Sequence, residues 1–163
     1  MAGLVVSDAS PLIALARIDG LQWLDLLFGS VWIPSEVKAE IFPATVTADQ
    51  AELGRAVDRG WLKVWPERII PREQLDLDAG ERACIELAQT HPDSLLLIDE
   101  RAGRAHARAL GLKYAGTAAV IGQARMRGII PSARAVFERL HQSDFRIAPQ
   151  VIRTVLTRVG EFE

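Results

Sequence analysis

The chain opens on an apolar run, Gly3-Leu4-Val5-Val6-Ser7, that stops at Asp8, where the helical pattern Ala9-Ser10-Pro11-Leu12 begins. A second run, Ser94-Leu95-Leu96-Leu97-Ile98, stops in the same way at Asp99-Glu100. It is continuously apolar instead of alternating, as expected of a parallel strand buried on both faces. The pattern predicts strands at 3–7, 31–33, 61–65 and 94–98, with a weaker one at 112–115. Helical periodicity falls between them, at 10–18, 21–28, 34–42, 48–59, 78–90, 100–110 and 116–127. Two further helices are expected at 132–142 and 149–159, where Pro131 and Pro149 suit the first turn. The stretch 66–77, with its prolines and mixed charge, reads as a loop. Strands alternating with helices imply an α/β fold with a central parallel sheet covered on both faces.

Composition narrows this picture. A chain of 163 residues with 49% hydrophobic and 25% charged residues is expected to form one domain with a proper core. No apolar stretch reaches membrane-spanning length, and the first residues lack a basic segment with a cleavage site, so a cytoplasmic location and no membrane partner are expected. The single cysteine, Cys84, excludes an internal disulfide and a cysteine-based zinc site. The net charge of −2 conceals an asymmetry. Residues 1–100 hold 17 acids and 8 bases, while residues 101–163 hold 4 acids and 11 bases. Most of the bases are arginine, which forks bidentately onto phosphate. Acids early and arginines late suit a protein holding a cation with one half and a polyanion with the other; complementary halves of one folded surface, or of a dimer, would look the same.

The acids themselves carry the chemistry. Asp8 could cap the following helix, but Ser10-Pro11 offers its own cap and first turn, leaving Asp8 available as a ligand. Glu40 follows Glu36 by four residues and sits in a last helical turn, where the dipole disfavours an anion. It borders the Val37/Ile41 stripe, so it is either a ligand that breaks local rules or a solvated surface group. Glu81 completes a capping box with Asp78, yet it also heads the apolar face Cys84, Ile85 and Ala88; both roles stay open. Of Asp99 and Glu100, one suffices to cap the next helix, and Asp99 is favoured as ligand with Glu100 as cap or outer support. Unit charges about 4 Å apart repel by roughly 4 kcal/mol at an effective dielectric near 20, so four such carboxylates together require a cation. All-oxygen ligation selects Mg²⁺ or Mn²⁺, and phosphodiester hydrolysis is the chemistry such a site supports.

The remaining candidates are weaker. Arg101, Arg104 and Arg108 share one helix face and either track an RNA backbone or form a solvated face opposite Ala102, Ala105 and Ala109. His106, on that alanine side, reads as packed; His91 reads as loop and His141 as helix end. The four tryptophans read as core or interface. No Ser/His/Asp or Cys/His pattern and no phosphate-binding glycine loop is present.

Taken in order, these segments resemble a known family. Val6-Ser7-Asp8-Ala9-Ser10-Pro11-Leu12-Ile13-Ala14-Leu15, followed by Ile33-Pro34 to Glu40-Ile41, resembles the opening of PIN-domain proteins. Leu77-Asp78-Ala79-Gly80-Glu81-Arg82-Ala83, Leu97-Ile98-Asp99-Glu100-Arg101-Ala102-Gly103-Arg104 and Gly111-Leu112 to Gly116-Thr117 are similar to a VapC-like prokaryotic subgroup. The resemblance implies a three-layer α/β/α sandwich, a Mg²⁺- or Mn²⁺-dependent endoribonuclease acting on RNA, and the toxin of a toxin–antitoxin pair, with a homodimer and an antitoxin partner. The resemblance spans nearly residues 4–130, so a nuclease domain over residues 1–130 is expected, with a helical extension over 131–163 that packs on it, forms a dimer surface or receives a partner helix. It places metal-site acids on Asp8, Glu40, Glu81 and Asp99, and Thr117 matches the family's small hydroxyl residue near them; Glu100 and Ser10 are read as outer support. Two departures stand out: many relatives carry Asp where Glu81 stands, and often a further acid where Gly103-Arg104 follow Asp99. A PIN-like module that binds RNA or protein without cutting is the alternative they leave.

Overall fold

The structure, a computed structural model, describes residues 3–72 and 76–161. In chain order its elements are β1 (Val5–Ser7), α1 (Ala9–Arg17), α2 (Trp23–Phe28), β2 (Val31–Ile33), α3 (Ser35–Ile41), α4 (Gln50–Asp58), β3 (Leu62–Val64) and α5 (Ala79–Gln89). They continue with β4 (Leu95–Leu97), α6 (Arg101–Ala109), β5 (Lys113–Ala115), α7 (Thr117–Met126), α8 (Ala133–Gln142) and α9 (Pro149–Arg158). The five strands form one all-parallel sheet in the order β3-β2-β1-β4-β5, and helices cover both faces in an α/β/α sandwich. Every element expected from the hydrophobic pattern is present. The described residues of the 66–77 stretch hold no helix or strand, as expected; residues 73–75 of that stretch lie outside the described residues.

The core forms where continuous apolar runs meet apolar helix faces. Val6, Leu12, Leu15, Ile33, Leu96, Leu97 and Ile98 are completely shielded from solvent. Each such side chain stabilises the fold by about 1.5–3 kcal/mol relative to exposure. Helix α5 lies on β1 and β4, and α7 is flanked by α1, α2, α8 and α9, so the C-terminal helices pack onto the sandwich. Glu161 is held there: its carboxylate accepts from Ser132 Oγ at 2.8 Å and from the Ala133 N–H at 2.6 Å, occupying the N-terminus of α8. Trp23 and Trp61 are buried, whereas Trp32 and Trp65 are half-buried and meet edge-on, with His91 edge-on against Trp65. Among the described residues no helix is long and apolar enough to cross a membrane.

Three local expectations are corrected. Helix α1 begins at Ala9, so Asp8 and not Ser10 stands at the cap position. Helix α8 begins after Ser132, whose hydroxyl accepts from the Ala135 N–H at 3.1 Å; Pro131 precedes the helix instead of opening it. The third concerns α6. Its buried residues are Gly103 and Ala107, while Ala102, Ala105 and Ala109 are exposed and His106 is half-buried. The smallest side chain wins the inward position because Ile98 lies directly beneath: a Cβ on residue 103 would come within 2.5 Å of Ile98 Cδ1.

Candidate active site

From β1 the chain winds outward to β2 and β3, then returns to lay β4 on the other side of β1. That reversal is a topological switch point beyond the C-terminal ends of β1 and β4, the place where open parallel sheets take ligands. Register puts Ser7 opposite Leu97, and the Asp8 N–H donates to the Leu97 carbonyl at 2.9 Å. Asp8 and Asp99 therefore leave adjacent strands at the same edge.

Asp8 is only 3% exposed. Although it stands at the cap position of α1, its side chain makes no capping bond, and among the described residues its Oδ1 is buried without a partner. Burial raises its pKa to about 7, and the charges of Asp78, Glu40 and Asp99 push in the same direction against a hydrogen bond from the Ala9 backbone. A carboxylate in this state has lost water and gained no counter-charge, which is the signature of a group awaiting a proton or a cation.

Glu81, 5% exposed, comes from the first turn of α5, and the charge of Asp8 acts on it. The capping box forms in its forward half: Asp78 Oδ1 accepts from the Glu81 N–H at 2.8 Å. The Glu81 carboxyl is not consumed by capping, since among the described residues its Oε2 is buried without a partner. Burial raises its pKa, and both a hydrogen bond and the charge of Asp78 add to the effect, followed by the charge of Asp8. Glycines clear the space around these acids. A Cβ at Gly80 would stand 3.4 Å from Asp8 Oδ1, and one at Gly103 would strike Glu81 Oε2 at 2.5 Å.

Asp99 is held differently. Its Oδ1 accepts from the Thr117 N–H at 2.7 Å and its Oδ2 from Thr117 Oγ1 at 2.6 Å, so the start of α7 fixes the carboxylate plane. Burial still raises its pKa, against the lowering by Thr117 and by the Arg104 charge. Gly116 allows this approach, because a Cβ there would lie 2.8 Å from Asp99 Oδ1. Glu100 occupies the cap position of α6 but makes no side-chain capping bond. Glu40, near the end of α3, is exposed and points outward more than its place beside Val37 and Ile41 suggested. Partial desolvation and then the Asp78 charge nevertheless raise its pKa.

A family model described as a PIN domain matches residues 4–161. The chain belongs to the PIN-domain family. No curated protein and no solved structure matches it at a significant level. Membership implies nuclease chemistry on nucleic acid, and the match runs through α8 and α9 as well as the sandwich.

Within this PIN domain, Asp78 is the acid that sequence reasoning assigned to capping alone. It is exposed, and its charge acts on Asp8, Glu40 and Glu81 together, making it the common neighbour of the group. Its place one turn before Glu81 was the available signal. Ser10 lies half-buried in the first turn of α1. Arg101, Arg104 and Arg108 line one shallow hollow on α6 beside Tyr114, and the Arg104 guanidinium stacks 5.5 Å above the Tyr114 ring. The donor chemistry suits a hard divalent cation: oxygen ligands only, two of them buried and unpartnered. Among the described residues, however, no three acidic, histidine or cysteine groups are set as a ready-made metal cage.

Proposed function

We propose that this PIN domain is a metal-dependent endoribonuclease that hydrolyses RNA phosphodiester bonds, the toxin of a VapC-like toxin–antitoxin pair. Asp8, Glu81 and Asp99 form its reactive centre, with Glu40 and Asp78 at the rim. The observation that carries this reading is the pair of buried, unpartnered carboxylate oxygens on Asp8 and Glu81 at the sheet's switch point. Burying such groups costs stability, so their presence without a structural partner supports a chemical role. Mg²⁺ or Mn²⁺, when bound, supplies the positive charge and Lewis acidity that phosphodiester hydrolysis uses.

The chain's own residues divide the remaining work. Thr117 holds both Asp99 oxygens, so this acid is pre-oriented. Asp8 and Glu81, whose pKa values burial raises while no cation is bound, would give up their protons to hold one. Like charges splay without a cation, and the rim acids on exposed side chains are free to turn inward. Gly103 leaves room for Glu81 Oε2, which a Cβ there would approach to 2.5 Å, so the two positions are sterically linked. Thr117, Glu100 and Ser10 support the acids, Arg101, Arg104 and Arg108 hold the RNA, and residues 131–163 extend the domain. A homodimer neutralised by an antitoxin completes the reading.

The absence of a ready-made cage among the described residues favours one alternative, a PIN module that binds RNA without cutting. Purified wild type and Asp8→Asn, incubated with RNA and Mn²⁺, separate the two. Cleavage by wild type falling at least a hundredfold in the variant is the expected result; equal activity in both sinks the nuclease assignment at this site.

A further inference from the structure

Beside Asp99 opens a groove of about 1030 Å³ whose lining includes Asp99 but not Asp8, Glu81, Glu40 or Asp78. One wall carries Arg101 and Arg104 from α6; the other is built by the C-terminal segment, with Arg146 from the α8–α9 connection and Arg158 from the end of α9. Asp99 is the sole acid on the lining among the described residues, against four arginines. Among the described residues neither Arg146 nor Arg158 forms a salt bridge. Arg146 does donate to the His141 carbonyl, which props its side chain and leaves further N–H groups for an anion. The aromatic rings of Tyr114 and Phe145 also line the groove, both half-buried.

We infer that the C-terminal segment is a nucleic-acid-binding wall, on which Arg146 and Arg158 grip the phosphates of a single-stranded RNA running from Asp99 between α6 and α9. RNA as the occupant rests on the nuclease reading above; the groove's charge is independent of it. Arginine forks match phosphate oxygens, and their spread on two elements suits a chain of phosphates better than one small anion. Single strands are selected because aromatic rings can stack only on unpaired bases, whose faces a duplex conceals. The late excess of arginine in the sequence thereby acquires a location.

The test measures binding of a fluorescent twelve-nucleotide oligouridylate to the full chain by anisotropy, with EDTA present so that binding is read apart from cleavage. Arg146→Ala/Arg158→Ala should weaken binding tenfold or more at low salt and reduce the salt slope by about 1.4, at roughly 0.7 per lost phosphate contact. Arg146→Lys/Arg158→Lys should restore most of the affinity, and Arg59→Ala, on a hollow elsewhere, should change nothing. Oligouridylate annealed to its complement should bind more weakly than the single strand. Unchanged affinity and slope in the double alanine variant, or an equal loss in Arg59→Ala, overturns the proposal. Polyglutamate binding as tightly as RNA would assign the groove to an acidic protein segment and overturn it as well. Wild type that binds RNA through these arginines yet fails to cut it with Mn²⁺ sinks the nuclease reading and leaves the groove standing. Cutting with undiminished binding in the double variant does the reverse.

Discussion

The two charged regions of this protein are built on opposite terms. The acids Asp8 and Glu81 lie under the sheet edge, almost without solvent, with oxygens that touch no donor. The arginines at 101, 108, 146 and 158 sit on exposed helix faces and a connection, where hydration makes their charge cheap to keep. One region sacrifices stability, while the other adds charge at almost no structural cost. On the proposed reading, a function that needs a cation beside a polyanion would account for their adjoining at Asp99.

The comparison can be broken most directly through pH. Asp8 has a folded pKa of about 7 against an ordinary value of 3.8, so the unfolded chain ionises first. Its contribution is intact below about pH 4 and declines as pH rises toward 7, a loss on the order of 4 kcal/mol at 1.36 kcal/mol per unit. Glu81, also raised, acts in the same direction toward about pH 8. Thermal unfolding of metal-free protein should therefore show its midpoint falling between pH 4 and 8. Asp8→Asn should flatten much of that fall and be more stable than wild type at pH 8. A midpoint that rises over this range, or a variant less stable at pH 8, would mean the acids are paired after all.

A smaller effect sharpens the steric side of the same contrast. Gly103→Ala places a Cβ 2.5 Å from both Glu81 Oε2 and Ile98 Cδ1. Overpacking of this kind costs about 1–3 kcal/mol, and the displaced carboxylate should lower Mn²⁺-dependent cleavage as well. A variant with wild-type melting and activity would show that the acid has more room than the backbone leaves it. The smallest effect tests the basic wall's anchorage. Glu161→Gln removes the charged cap on α8 and its ion pair with Arg125 at 3.3 Å, and should lower stability by about 0.5–2 kcal/mol. RNA binding should weaken modestly while cleavage chemistry persists. Full retention of stability would detach Glu161 from the fold's integrity.

Much of the architecture was legible in the pattern because parallel strands buried on both faces must be continuously apolar, and amphipathic helices must repeat every three to four residues. Leu95-Leu96-Leu97 could scarcely be anything else. The ends of elements were less legible. The start of α1 at Ala9 and the role of Ser132 depended on single hydrogen-bonding choices that periodicity does not encode. Candidate acids were readable where a strand ran into a carboxylate, as at Asp8 and Asp99. Asp78 was not, because its capping role was sufficient by itself and its second neighbourhood comes from α1 and α3. The inward face of α6 was misjudged for a related reason: the sequence offers several small residues, and only the proximity of Ile98 and Glu81 selects Gly103.

By itself, then, the amino-acid order determined the alternation of strands and helices, the acids at strand ends and the separation of early acids from late arginines. Those are properties of short stretches, governed by side-chain burial and backbone geometry over a few residues. Which acids come together, which oxygens lack partners, and which arginines from 101 to 158 face one groove were decided by the order of strands in the sheet. That order is a long-range packing outcome, and electrostatic effects follow distance in space, not distance along the chain.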